Sequence, residues 1–242
     1  MLSYLSSIKE IDESNVDTVI LPIGSVEQHG SHLPVGTDYL IAQAVGEAVA
    51  EKLDAFLLPT LPFSTCYEHR GRRGSSICTR PSTFYQILQE LVLNLHDQGF
   101  KRVIILLGHG GTFIAGPAVR ELNAMYDDLR VVLVFPITND KIRAIMENKT
   151  VEIHAGEKET SCMLYLCEKA VNKELMLQND EIPDVPQEYL NYASLLKLSK
   201  TGVWGKPSLA TKEKGEKIFN LMVEATIDYI HKAFEATTES KW

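Results

Sequence analysis

Two histidines, a glutamate and an aspartate are candidate ligands within fifteen residues of "GSVEQHGSHLPVGTD" (24–38), and a further histidine stands between glycines in "GHGG" (108–111). A third run, "HAGEKETS" (154–161), adds His154, Glu157 and Glu159. Mixed imidazole and carboxylate donors suit zinc, manganese and iron alike. Glu27 and His29 are two residues apart, so in an extended segment they face one side. The two oxygens of Asp38 can bridge two cations while Glu27, His29 and His109 complete separate shells. The glycines around His109 suit close backbone approach to a ligand. A dinuclear site built from such donors leaves positions open for water and substrate.

Such residues need elements to position them, and strand-like and helix-like patterns alternate along the chain. "DTVILPIG" (17–24) reads as a buried strand ending just before Glu27. "TDYLIAQAVGEAVAEKL" (37–53) reads as a helix capped by Thr37, with a stripe of Leu40, Ile41, Ala44, Val45, Ala48 and Val49. "AFLLPTLPF" (55–63) reads as a second strand interrupted by prolines, and residues 64–81 form a loop too long to be a simple connector. Ser82 is expected to open a helix with stripe Phe84, Ile87, Leu88, Leu91 and Leu95, stopped by Gly99. "KRVIILLG" (101–108) reads as the central strand, leading through the Gly-rich turn to a helix that reaches about Asp128. "LRVVLVFP" (129–136) is another continuous apolar strand, of the kind buried on both faces in parallel sheets. Residues 171–207 look irregular, and a last amphipathic helix runs from about Thr211 to Phe234. The alternation predicts an α/β protein: a mostly parallel sheet covered by helices on both faces, in one domain over residues 1–242. Ligands of such sheets sit beyond the carboxyl ends of the strands, where Glu27, His29 and His109 fall.

Composition narrows the classes. The 242 residues carry 24 basic and 32 acidic side chains, a net charge of −8, which argues against nucleic-acid or anionic-membrane binding. No basic, apolar leader opens the chain, and runs such as "VIILL" and "VVLVF" are too short to span a bilayer. The four cysteines have no CxxC spacing and suit reduced thiols, so a cytoplasmic protein is expected. A serine hydrolase would need a GxSxG elbow, and a nucleotide-binding module a GxGxxG or GxxxxGK[ST] loop; the sequence offers neither. His32 reads as a supporting or solvated residue, and His69 in "YEHRGRRG" as lining a substrate entrance or sitting on a solvated loop. Arg70, Arg72 and Arg73 either meet an anionic substrate or solvate that loop.

Taken in order, "GSVEQHGSHLPVGTD", "GHGG", "HAGEKETS" and "GVWGKPSLATKEKG" (202–215) resemble the creatininase, or creatinine amidohydrolase, family over nearly the whole chain. The resemblance implies a three-layer αβα sandwich, two divalent metal ions per chain and hydrolysis of a non-peptide C–N amide bond in a small molecule. It also implies a homo-oligomer, commonly a hexamer. The irregular segment "YLNYASLLKL" (189–198) could pack on a neighbour. By motif, Glu27, Asp38 and His109 would hold one metal, His29 and Asp38 the other, and His154 would match the family's catalytic histidine. Gly111 occupies the place of a metal-binding glutamate of creatininase, so the second metal needs Glu159 or Glu157. With Glu159 as ligand, Glu157 joins His154 as a candidate acid for the leaving nitrogen. Thr150 stands where creatininase has a substrate-covering tryptophan, and the only tryptophans here are Trp204 and Trp242. Relatives of the family include deformylases, so a cyclic amide or a formamide is expected rather than creatinine itself.

Overall fold

The computed structural model of the chain describes residues 1–135 and 139–238. Its main elements, in order, are α1 (Ile8–Asp12), β1 (Thr18–Ile23), β2 (Val26–Glu27), α2 (Thr37–Leu53), β3 (Phe56–Leu57) and β4 (Ser76–Ile77). They continue with α3 (Pro81–Asp97), β5 (Arg102–Leu107), α4 (Ala115–Met125), β6 (Arg130–Val134), α5 (Asp140–Ile145), α6 (Glu157–Cys167) and a C-terminal helix (Lys212–Thr238). The main sheet has the order β3-β1-β5-β6 and is parallel throughout, with Thr18 opposite Arg102 and Ile23 opposite Leu107. β2 and β4 form a separate antiparallel ribbon.

Successive strand residues point to opposite faces, and here both faces are apolar. Ile20, Ile104, Leu106, Val132 and Val134 pack with α2, α6 and the C-terminal helix. Val19, Leu21, Ile23, Val103, Ile105 and Val131 pack with Phe84, Leu88, Val92 and Leu95 of α3 and Ala118 and Leu122 of α4. The result is a three-layer αβα sandwich. No helix among the described residues is long and apolar enough to cross a membrane.

The topology makes a crevice. From β1 the chain passes through α2 to β3 on one side, then through α3 to β5 on the other. The carboxyl ends of β1 and β5 therefore border the switch point, where α/β sheets bind ligands. Glycines let α2 close over it. A Cβ on Gly24 would lie 2.5 Å from Tyr39 Cα, and one on Gly108 would lie 2.8 Å from the Asp38 carbonyl oxygen.

Several elements differ from the sequence expectation for local reasons. The strand expected over 55–63 is only Phe56–Leu57, because Pro59 and Pro62 have no N–H for a ladder; Leu61 keeps one bridge to Ile23. Gly36, not Thr37, is the N-cap of α2, and the Thr37 hydroxyl donates to the Pro34 carbonyl at 2.7 Å. α3 begins at Pro81, whose fixed φ suits a first helical position, and Val92 is buried where Leu91 was expected. α4 stops at Met125, and β6 is Arg130–Val134; Pro136, like Trp242, lies outside the described residues. The irregular stretch 171–207 contains two four-residue helices, Lys173–Met176 and Leu195–Leu198.

The packing of α3 generates a paired stability test. Phe84→Ala empties a fully buried position and should lower the unfolding free energy by about 3–5 kcal/mol in a denaturant titration. Leu91 is 37% exposed, so Leu91→Ala should cost about 1 kcal/mol or less in the same titration.

Candidate metal centre

Asp38 occupies the first turn of α2, where the positive helix end favours a carboxylate, and is 3% exposed. Its Oδ1 lies 3.1 Å from His29 Nε2 and its Oδ2 lies 3.1 Å from His109 Nδ1. Ser25 Oγ donates to Oδ2 at 2.9 Å and helps fix the carboxylate plane. Glu27, fully buried at the end of β2, brings Oε1 to 3.1 Å from the same His109 nitrogen. Imidazole nitrogens of His109 and His69 approach Oε1, but no donor meets either Glu27 oxygen in good hydrogen-bond geometry. Burying a carboxylate without donors costs several kcal/mol, and a cation beside it removes that cost. The donor set passes this test for a metal site.

Ligand atoms within 4.8 Å of one another fall into Glu27–Asp38–His109, His29–Asp38–Glu159 and Glu27–His29–His154. The first two groups share Asp38, one oxygen toward each histidine. Two of the imidazoles are also held from behind by backbone carbonyls, as ligand histidines usually are. His29 Nδ1 lies 3.1 Å from the Glu27 carbonyl, where its N–H donates, leaving Nε2 toward Asp38. His154 Nε2 donates to the Gln28 carbonyl at 2.6 Å, leaving Nδ1 3.8 Å from Glu27 Oε1. His109 Nε2 lies 3.2 Å from Glu68 Oε1.

Burial opposes every charge here, and the neighbours decide the outcome. It pushes Glu27 up to about 7, with His109 pulling against it. His29 is carried past its burial to about 9 by Asp38 and then Glu159 and Glu27. His109 is likewise held well above the usual imidazole range, against burial, by Glu27 and Asp38. Asp38 stays well below the usual carboxylate range, against burial, because His29 and His109 flank it. Burial and neighbouring imidazoles keep His154 well below its ordinary value and His69 at about 3.

The structure separates the two glutamates of "HAGEKETS". Residues two apart on a helix do not share a face. Glu159 turns to the cluster, 4.0 Å from His29 Nε2, and its Oε2 accepts the Ala155 N–H at 2.6 Å. That contact braces Ala155, a non-glycine residue at φ 52°, directly after His154. Glu157 turns away. Its carboxylate accepts from the backbone of Glu147 (2.9 Å) and Asn148 (2.7 Å) and from Lys214 Nζ (2.7 Å). Glu157, expected as a catalytic acid or ligand, is not brought to the cluster, because its oxygens anchor α6 to the C-terminal helix.

Other residues lie outside the donor set. His32 is buried, with Nε2 3.0 Å from Thr160 Oγ1 and Nδ1 3.2 Å from Asn179, and props α6 outside the donor set. Arg70, Arg72 and Arg73 are exposed, and the Arg70 guanidinium lies 4.1 Å above the Tyr67 ring. The loop after β3 supplies two residues that sequence reasoning did not place in the cluster. His69 is 4% exposed, packs against His154 with ring centroids 4.2 Å apart and planes tilted by 42°, and brings Nε2 to 3.2 Å from Glu27 Oε1. Glu68 fills the space beside Gly111, where any Cβ would collide with its Oε1 and with His109. The one available signal was the length of the 64–81 loop.

Fold and cluster define a class: an αβα sandwich with imidazoles and carboxylates gathered as candidate metal ligands at its switch point. The creatininase family model, described as creatinine amidohydrolase, matches residues 5–230, and the chain belongs to that family. It is 30% identical over 230 residues to the mycofactocin precursor peptide peptidase of Mycolicibacterium smegmatis, covering 90% of this chain and 86% of that one. Identity to the 3-dehydro-scyllo-inosose hydrolase of Thermotoga maritima is 25% over 253 residues, covering 93% and 80%. Identity to the creatinine amidohydrolase of Pseudomonas putida is 26% over 236 residues, covering 90% of each. A creatininase crystal structure superposes with a TM-score of 0.81 at 24% identity, covering 96% of this chain and 98% of the other.

The charges of the cluster predict proton-coupled metal binding. Without metal, His29 (about 9) and the likewise raised His109 hold protons at neutral pH on the nitrogens a cation needs. Glu27, at about 7, is part-protonated as well, so zinc uptake at pH 7 should release about two to three protons per chain, and affinity should weaken as pH falls. Calorimetry in two buffers of different ionisation heat measures the release; a buffer-independent heat would contradict it.

Proposed function

We propose that this chain is a two-metal amidohydrolase acting on a small amide or formamide. The observation that carries the reading is the Asp38 carboxylate, 3.1 Å from an imidazole on each side. Glu27, Asp38 and His109 would hold one ion, and His29, Asp38 and Glu159 the other. Zinc, manganese and iron all suit these donors. Such a pair supplies Lewis acidity and brings a coordinated water to a pKa of about 7. His154 contributes proton transfer. Its lowered pKa leaves Nδ1 unprotonated and facing Glu27, free to take the proton of the attacking water. The same nitrogen then delivers that proton to the amine nitrogen as the C–N bond breaks. We further propose that the whole chain is one domain, and that it forms a homo-oligomer through the segment carrying the exposed Tyr189 and Tyr192.

Three variants test the assignment. Asp38→Ala should empty both metal positions by elemental analysis, and His29→Ala chiefly one. His154→Ala should keep its metal while kcat falls about 10²–10⁴-fold on whichever substrate a panel of cyclic amides, formamides and short peptides identifies. Metal loss in His154→Ala would make it a ligand instead, as the Glu27–His29–His154 grouping allows.

Creatinine should be a poor substrate. Thr150 is exposed and bonded to Asn148, and Gly111 carries no side chain, so neither offers the groups that shape the creatininase site. Turnover of creatinine at about 10⁴ M⁻¹s⁻¹ or more, the ordinary range of enzyme efficiency, would refute this.

A further inference from the structure

His69 is left without a task by the reading above, although it closes a short 3-10 turn, Tyr67–His69, inside the cluster. Its two ring nitrogens face different groups. Nδ1 lies 3.1 Å from Gln28 Nε2, and Nε2 lies 3.2 Å from Glu27 Oε1. The Gln28 amide has only one orientation that satisfies its partners. Its Oε1 accepts the Gly30 N–H at 3.0 Å, and its Nε2 donates to the Gly202 carbonyl at 2.9 Å. Both partners are backbone groups with a single role. The second amide hydrogen is therefore free to point at His69, and Nδ1 must accept it, since a proton there would set two donors face to face. The ring proton sits on Nε2, on the side of the cleft.

That N–H is not consumed by the protein. Glu27 Oε1 is within reach, yet it accepts no hydrogen bond. A nitrogen that carries its proton toward the cleft does not bind a cation, which separates His69 from His154, whose Nε2 donates to the Gln28 carbonyl and whose Nδ1 is left free toward Glu27. We propose that His69 is a catalytic hydrogen-bond donor whose Nε2–H stabilises the oxyanion formed when the substrate carbonyl is attacked. The proposal rests on the amidohydrolase reading. Its geometry is prepared in advance: the Gln28 N–H donates to the Ser75 carbonyl at 2.7 Å, and Glu27 pairs with Ser76. The loop bearing His69 is thus stitched to the strand bearing Glu27. A donor already in place contributes most to a developing charge.

The test reads the tautomer directly. Nitrogen NMR of histidine-labelled, metal-free protein should find His69 in the Nε2–H form, and Gln28→Met should relax that preference. In zinc-loaded protein, inorganic phosphate serves as a tetrahedral oxyanion probe and should shift the His69 Nε2–H resonance. His69→Ala should weaken phosphate binding about tenfold with zinc content unchanged, and His69→Gln, which keeps an N–H, should restore most of it. An Nδ1–H form or an imidazolium in the wild type overturns the proposal. Equal phosphate affinity in wild type and His69→Ala overturns it, as does no phosphate binding to the zinc-loaded wild type. Zinc loss in His69→Gln overturns it too, and makes the ring a ligand. Failure of the wild type to take up zinc counts against the amidohydrolase reading, while the metal-free tautomer still decides whether His69 is a fixed donor.

Discussion

Asp38 holds its two oxygens between two imidazoles, 3.1 Å from each, in a place water barely reaches. A buried carboxylate is tolerated only when its surroundings supply positive charge, and three sources converge here: two histidines and the start of α2. The rest of the architecture makes that convergence possible. Gly24 and Gly108 leave no side chain between the strand ends and α2, so the helix start can come down onto the crevice. β1 and β5 lie side by side in full register, so the loops that follow them begin at the same level. Shifting either strand would move His29 or His109 off its carboxylate oxygen.

The backbone of Glu27 and Gln28 supports the site as much as their side chains do. The carbonyl of Glu27 orients His29, and the carbonyl of Gln28 orients His154. The outer acid on His109 comes from Glu68, in space that the bare backbone of Gly111 leaves open. A side chain at 111 would displace the Glu68 carboxylate from its place against His109.

Much of this was legible in the sequence where periodicity or strand ends supplied a rule. The helix 37–53 has the bounds its apolar spacing implied, and Glu27, His29 and His109 lie where strand-end logic put them, with Asp38 reaching them from the start of α2. Legibility failed where the rule needed rotational phase. Nothing in "HAGEKETS" says which of Glu157 and Glu159 faces the crevice, because that depends on how α6 is rolled against the C-terminal helix, where Lys214 claims Glu157. The same uncertainty exchanged Leu91 for Val92 on α3. Glu68 and His69 were hidden for a different reason. Their loop has no period, and its course is set by the β2–β4 ribbon and by contacts distant in sequence.

Those distant contacts matter for how the protein is made. Gln28 is tied to Gly202 across 174 positions, and His154 pairs with Trp204 through their backbones, N–H to carbonyl in both directions. A chain emerging from the ribosome can lay down β1, α2 and β5 early, but Gln28 meets its carbonyl only after Gly202 has been synthesised. The imidazoles that line the crevice thus acquire their final settings late, through contacts of high sequence separation that close slowly. A chain truncated before this segment lacks the settings of His154 and Gln28, and with them the C-terminal helix that covers one face of the sheet.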